Sequence, residues 1–265
     1  MNVLYQITIY FSLITSVAHA SAADSTTRKP VDPTNPFAKL TGQVTQMASS
    51  DNGYGNGFIV GSNGCHVLTN FHVAFGRRTN STTGITEMVD DISIGHIVNF
   101  AFDVDTGTGK FRQARKAKVI FFGNYEQGTP RGFLNDLALL RLESCLGPEF
   151  GHLEVDRPPR EKRVATNLLM TVSSSRNSAG KNEVLVETGC RPLTGTSVTG
   201  SMLSNCEVAG GMSGSMLLEE GDDKKWRLAG VTTARGAIVN SKELNRSIYA
   251  SAINKFLLQS SWNGQ

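Results

Sequence analysis
The feature that most constrains this chain is an octet near its C-terminal end. Ala209-Gly210-Gly211-Met212-Ser213-Gly214-Ser215-Met216 sets a serine in a glycine-rich turn just ahead of an apolar run. A turn of this composition lets the backbone approach a ligand closely and take φ/ψ values closed to other residues. It can aim a hydroxyl at a carbonyl carbon while the N–H groups of Gly211 and Ser213 point at the carbonyl oxygen. Glycine–serine turns are common and most serve only as turns, so the octet needs partners elsewhere.

Two other segments supply them. Val67-Leu68-Thr69-Asn70-Phe71-His72-Val73 is an apolar, strand-like run that ends on a histidine, and Leu134-Asn135-Asp136-Leu137-Ala138-Leu139-Leu140-Arg141-Leu142 puts an aspartate at the mouth of another. Taken singly, His72 reads as a core histidine at a strand end and Asp136 as a turn residue. A carboxylate abutting Leu-Ala-Leu-Leu is desolvated, however, and needs a partner such as an imidazole N–H. His19, His66, His96 and His152 have no comparable setting. A serine nucleophile requires a base to take its proton, and the base requires a carboxylate to fix its tautomer. The order along the chain is His72, Asp136, Ser213. The α/β-hydrolases run serine, acid, histidine and the subtilisin arrangement runs aspartate, histidine, serine, so the order excludes both. Ser178-Ala179-Gly180-Lys181 matches S-x-x-K only formally, within a Ser/Asn/Gly loop, and residues 211–215 miss G-x-S-x-G at the last position.

On these residues the chain resembles the trypsin/chymotrypsin-like serine peptidases, nearer to the bacterial glutamyl-endopeptidase-like and related prokaryotic secreted members than to the animal digestive enzymes. The stretches that carry the resemblance are Gly55-Asn56-Gly57-Phe58-Ile59-Val60, Leu68-Thr69-Asn70-Phe71-His72-Val73, Asn135-Asp136-Leu137-Ala138-Leu139-Leu140 and Gly211-Met212-Ser213-Gly214-Ser215. The resemblance implies an all-β chain of two antiparallel Greek-key β-barrels with a C-terminal helix and the catalytic groups at the junction. It selects Ser213 over Ser215 as the nucleophile, because the family's reactive serine stands between two glycines. The residue before that serine is an aspartate in the animal enzymes, where it pairs with a new N-terminus after zymogen cleavage. Here it is Met212, which cannot form such a pair. Glu207, six residues before Ser213, stands where trypsin-like members hold a basic side chain, so cleavage after Lys or Arg is the expectation. Thr232 occupies the position of the histidine in glutamyl-specific members, which argues against cleavage after glutamate. Arg235 lies just beyond the strand that lines the cleft and could narrow it or accept an acidic group.

Composition agrees with a turn-rich β protein: 27 glycines, 8 prolines and 18% charged residues in 265. A net charge of +3 is too small to imply nucleic acid or a membrane surface. The basic clusters at 112–118 and 157–163 read as solvated loops. Residues 1–20 carry no Lys, Arg, Asp or Glu and end in Ala18-His19-Ala20, which reads as a cleaved secretory signal. The mature protein is therefore expected to be secreted or periplasmic, off the membrane and monomeric, acting on protein or peptide without metal or other cofactor. Residues 21–36 read as a disordered arm or pro-segment, with Arg28-Lys29 as a candidate processing site. The first barrel is expected over 37–150, a linker over 151–163, and the second barrel with its helix over 164–265.

Four cysteines fit an exported protein and allow three pairings, of which Cys65–Cys145 with Cys190–Cys206 is favoured. The first would tie the strand before His72 to the strand after Asp136, and the second would join two strands leading to the serine turn. Strand-like runs fall at 42–47, 57–61, 66–69, 91–97, 116–121 and 137–142, then at 167–172, 184–188, 197–203, 215–218 and 227–232. Apolar spacing over 248–258 predicts the terminal helix, with Ile248, Ala252, Ile253, Phe256 and Leu257 on one face.

Overall fold
The computed structural model describes residues 28–31, 34–47, 54–79, 86–88, 92–125, 134–147, 150–151, 153, 168–193, 201–207, 209–239, 242–249, 253 and 256–257, with backbone alone at 77–79, 86–88, 234–239 and 242–249. The chain enters through a two-residue strand, β1 (Lys29–Pro30), and a short helix, α1 (Pro36–Leu40). Proline suits the first position of that helix, and the Asn35 side chain caps it by accepting the Phe37 N–H at 2.9 Å.

Six antiparallel strands then close into a barrel. They are β2 (Thr41–Gln46), β3 (Tyr54–Val60), β4 (His66–Thr69) and, after helix α2 (Phe71–Phe75) and the small hairpin β5 (Arg77–Thr79)–β6 (Thr86–Met88), β7 (Ile97–Asp105), β8 (Lys110–Phe122) and β9 (Ala138–Leu142). Their order around the wall is β2-β3-β4-β9-β8-β7. Closure leaves the barrel no unpaired edge.

The second half is a seven-stranded sheet. Its strands are β10 (Leu169–Arg176), β11 (Asn182–Cys190), β12 (Ser201–Ser204), β13 (Met216–Glu220), β14 (Trp226–Val239) and β15 (Lys242–Tyr249), with β1 completing the edge in the order β1-β11-β10-β13-β14-β15-β12. The molecule is thus mostly β, a closed barrel plus a second sheet. One apolar core runs through both halves, from Phe58, Phe100 and Phe102 to Met216, Leu218 and Val231. Disulfides join Cys65 to Cys145 and Cys190 to Cys206.

Several expectations change. The strand expected at 91–97 starts only at Ile97, because Ile92 and Ile94 are exposed and the buried alternation belongs to Val98, Phe100, Phe102 and Val104. The basic cluster at 112–118 is no loop but part of β8, with its exposed side chains alternating with less accessible ones. Residues 242–249, not anticipated as a strand, form β15. Part of the expected unstructured arm is ordered, since β1 pairs with β11 and α1 begins at Pro36. The proposed signal at 1–20, the rest of the arm at 21–27 and 32–33, and the linker apart from Gly151 and Leu153 lie outside the described residues. The terminal helix expected from residue 248 cannot start there, because Ile248 and Tyr249 are still paired in β15, opposite Val231 and Gly230. Of the rest, Ile253, Phe256 and Leu257 are described and are helical and buried, with the Phe256 ring 5.0 Å from that of Phe121.

Candidate active site
Paired strands deliver the imidazole and the carboxylate to one place. β4 and β9 are antiparallel neighbours with Thr69 opposite Ala138, so Asp136, just before β9, lies beside α2, just after β4. His72 is the second residue of α2. Its Nδ1 lies 2.7 Å from Asp136 Oδ2, and its backbone N–H donates to Asp136 Oδ1 at 3.0 Å. Asn70 stands at the N-cap of α2 but does not cap it; its amide donates instead to the Asp136 main-chain oxygen at 2.7 Å. His72 therefore engages both carboxylate oxygens while Asn70 fixes the Asp136 main chain, with Asp136 at 2% exposure. An acceptor at Nδ1 assigns the ring proton there and leaves the Nε2 lone pair for another group.

The serine turn is built where β14 passes below it. Gly214 donates to the Thr232 oxygen at 2.7 Å, and Thr232 donates to the Ser215 oxygen at 2.9 Å. Gly211 and Gly214 have φ of +83° and +84°, values that L side chains rarely adopt. A Cβ at Gly214 would also collide with the Asn56 carbonyl. Met212 and Ser215 donate their N–H groups within the turn, to Ala209 and Met212 oxygens at 3.3 and 3.0 Å. Among the described residues, the N–H groups of Gly211 and Ser213 are given to no acceptor. Ser215, the alternative nucleophile, is fully buried.

Thr233 bridges the two parts. Its hydroxyl donates to Asp136 Oδ2, and its carbonyl oxygen accepts from Ser213 Oγ at 3.4 Å. Among the described residues, no hydrogen bond joins Ser213 Oγ to His72 directly. Asn56, on β3, is the second bridge and is buried completely. Its backbone N–H donates to the Ser213 oxygen at 2.6 Å; its side-chain amide donates to the Gly211 oxygen at 2.6 Å and to the Ser174 oxygen at 3.1 Å, while its Oδ1 accepts the Ser174 N–H. Neither Thr233 nor Asn56 was assigned a role from sequence. The only signal for Asn56 is its place between Gly55 and Gly57, where a Cβ at Gly55 would crowd Val73 and meet the Ser213 oxygen at 2.9 Å.

The pocket residues divide. Glu207 follows the Cys190–Cys206 disulfide and is half-buried, with its N–H donating to Glu187 Oε2 at 2.7 Å. Thr232, expected to contact substrate, is 1% exposed and instead braces the turn through its main chain. Arg235 lies opposite Asn245 in the β14–β15 ladder, its side chain outside the described residues. A groove of about 590 Å³ on the outer wall of the barrel, lined in part by Ile97, Lys116, Lys118 and Arg141, contains none of these residues.

A histidine–carboxylate pair beside a serine turn, on a barrel and an adjoining sheet, defines a class, and comparison with known proteins gives it a family. The model of the trypsin-like peptidase domain matches residues 55–231, and the chain belongs to that family. It is a serine-type peptidase. Among solved structures it is similar to a Glu endopeptidase in complex with MPD, at 16% identity and a TM-score of 0.58, over 90% of this chain and 98% of that one. It is similar also to a serine endoprotease from Yersinia pestis (15%, 0.54, over 89% and 69%) and to the thermostable serine protease AL20 from an extremophilic microorganism (14%, 0.54, over 86% and 100%). At such identities the likeness is one of fold. No curated protein matches the chain in sequence.

Proposed function
We propose that the chain is an exported endopeptidase that cleaves proteins or peptides through Ser213, His72 and Asp136. Ser213 Oγ attacks the substrate carbonyl carbon; His72 Nε2 takes the hydroxyl proton and later gives it to the leaving amine. Asp136 fixes the ring and steadies the imidazolium. The N–H groups of Gly211 and Ser213 receive the developing oxyanion, each such donor being worth about 3–4 kcal/mol in the transition state. An acyl-enzyme on Ser213 follows and water hydrolyses it, with no cofactor in any step. The observation that carries this reading is the 2.7 Å contact between His72 Nδ1 and Asp136 Oδ2, bound through Thr233 to a serine whose turn has two N–H groups to spare. In the same reading both halves follow Greek-key order, the second sheet closes as a barrel, and a C-terminal helix that includes Ile253, Phe256 and Leu257 packs on it. The two disulfides favour an oxidising compartment, in keeping with a secretory signal at 1–20.

A fluorophosphonate probe tests the chemistry. The folded protein should be labelled and Ser213→Ala should not, and peptide hydrolysis should vanish with the label. A folded protein that takes no label would be a binding module of the same architecture; ester turnover without peptide cleavage would make it a small-ester hydrolase. Cleavage profiling on a peptide library checks the preference for Lys or Arg expected from Glu207, and Glu207→Gln should weaken that preference without abolishing labelling.

A further inference from the structure
The N-terminal strap is an unexpected part of the site. Lys29 and Pro30 pair with Val186 and Leu185, and the Val31 N–H donates to the Val184 oxygen at 3.0 Å. A proline costs little on an edge strand, where its missing N–H faces no partner. One step along this antiparallel register brings Arg28 alongside Glu187. Arg28 is only 9% exposed and Glu187 5%. A guanidinium taken this far out of water is costly unless it is paired and hydrogen-bonded.

Its Nη1 lies 3.1 Å from Met212 Sδ. Met212 is 1% exposed and immediately precedes Ser213. The same sulfur accepts the Ala209 N–H at 3.1 Å, and the Met212 N–H donates back to the Ala209 oxygen at 3.3 Å, so the 209–212 loop is closed through the Met212 side chain. Within that loop a Cβ at Gly210 would meet open space, with no atom beyond its chain neighbours within 4 Å. The peptide that carries the Gly211 N–H thus has little steric support on its Gly210 side. The tether on Met212 adds to the Asn56 hydrogen bond at the Gly211 oxygen and the Tyr54 ring against Gly211 in limiting its rotation. The start of the segment is fixed separately, by Glu187 Oε2 at the Glu207 N–H, 2.7 Å.

We infer that Arg28 is a positioning residue: from an uncleaved strap it pins Met212 and so orients the Gly211 and Ser213 N–H groups for the oxyanion. The proposal rests on the peptidase reading above. A methionine at 212 cannot pair with a freed N-terminal ammonium, and the chain supplies a side-chain cation to the same turn instead. Cleavage within Arg28-Lys29 would then disable the site by cutting the strap free, where a processing site would have enabled it.

The test compares Arg28→Met, which keeps length and apolar volume, with Arg28→Lys and Met212→Leu in the full chain. Arg28→Met should lower kcat about 10–100-fold, the scale of a small displacement at the reacting centre. Its KM should stay within about twofold, and its affinity for a peptide boronate should fall by the same factor as kcat. Arg28→Lys should recover part of the loss. Met212→Leu, which keeps the packing but removes the sulfur that accepts from both Arg28 and the Ala209 N–H, should lower kcat in the same sense, with some loss of melting temperature. An Arg28→Met protein with wild-type kcat and boronate affinity overturns the proposal; if that variant does not fold, wild-type kcat in Met212→Leu overturns it equally. Fluorophosphonate labelling separates the two levels. A wild-type protein that takes no label overturns the peptidase reading and this proposal with it, whereas equal labelling rates in wild type and Arg28→Met overturn the strap alone.

Discussion
In the first barrel, the imidazole and the carboxylate are held mainly by groups of that barrel: paired strands β4 and β9 set their separation, Asn70 holds the Asp136 main-chain oxygen and the His72 N–H its Oδ1, and the second half adds only the Thr233 hydroxyl at Oδ2. The serine turn in the second half is held quite differently. Its main chain rests on β14, and other groups that fix it come from afar: Asn56 from the first barrel and Arg28 from the strap. His72 and Asp136 are thus assembled mainly within one closed unit, with a single hydroxyl added from β14, while the Ser213 turn is assembled across an interface. Damage within the barrel should therefore fall on the proton transfer, and damage at the interface on the geometry of the oxyanion donors.

The sharpest way to break this contrast is Asp136→Asn. The amide puts a donor where His72 Nδ1 expects an acceptor, so the ring takes the wrong tautomer. We expect kcat to drop about 10⁴-fold, roughly 5.5 kcal/mol of transition-state stabilisation, with KM changed only a few-fold. Steady-state kinetics on a peptide substrate decide it; a loss below about tenfold would show that the barrel does not prepare the base in this way.

The disulfides come next, and they rank the halves by stability. Cys65 and Cys145 are 80 residues apart and Cys190 and Cys206 only 16. Chain entropy alone gives about 4.5 kcal/mol for the first and about 3 for the second. Thermal or urea unfolding should show Cys65→Ala/Cys145→Ala as the less stable double variant. The reverse order would mean that the barrel's closure already supplies the constraint.

Asn56→Ala tests the interface itself. It strips a partner from the Ser174 N–H and oxygen, which are buried, and from the Gly211 oxygen, which is half-buried. Each orphaned group costs about 1–3 kcal/mol, though not additively. A stability loss of about 2–3 kcal/mol and a kcat loss of about 10–100-fold are expected together. Unfolding curves and kcat at saturating substrate measure both, and an unchanged kcat would mean that the second half holds its turn unaided.

This difference between halves also explains what the sequence could reveal. Ser213, His72 and Asp136 stand out in the sequence because each sits at a short local signal, a glycine turn or the end of an apolar run. Both disulfides were within reach for the same reason, each lying at a strand end. Thr233, Asn56 and Arg28 act on residues 97, 155 and 184 positions away, through contacts that no local pattern encodes. The β7 error has another origin: Ile92 and Ile94 carry strand-like composition but are exposed at 40% and 60%, so composition and burial diverged. The basic run on β8 misled for the opposite reason, since one polar face hid a half-buried alternation.

The smallest effects should fall where the halves are alike. The β7–β8 and β13–β14 hairpins each place an aspartate at the turn. Asp105 Oδ1 accepts the Gly107 and Thr108 N–H groups, both at 3.0 Å, and Oδ2 accepts from Arg112 at 3.2 Å. Asp223 is held by a two-pronged Arg227 contact at 2.9 and 2.7 Å and by the Lys225 N–H at 3.2 Å. Both carboxyls lie below their ordinary range, Asp105 chiefly through the Thr108 N–H and Asp223 chiefly through Arg227. A depressed carboxyl stabilises the fold above its ordinary value, and the contribution is lost as pH falls through the folded one. Asp105→Asn and Asp223→Asn should each lower the melting temperature at neutral pH by on the order of 1 °C, since exposed contacts are screened by water. That difference should disappear in acid. Added salt should shrink the Asp223 effect more than the Asp105 effect, because an arginine contact is screened and a backbone N–H contact much less so. Equal salt sensitivity in melting curves would show that both turns rely on their arginines, and the two hairpins would then be one device used twice.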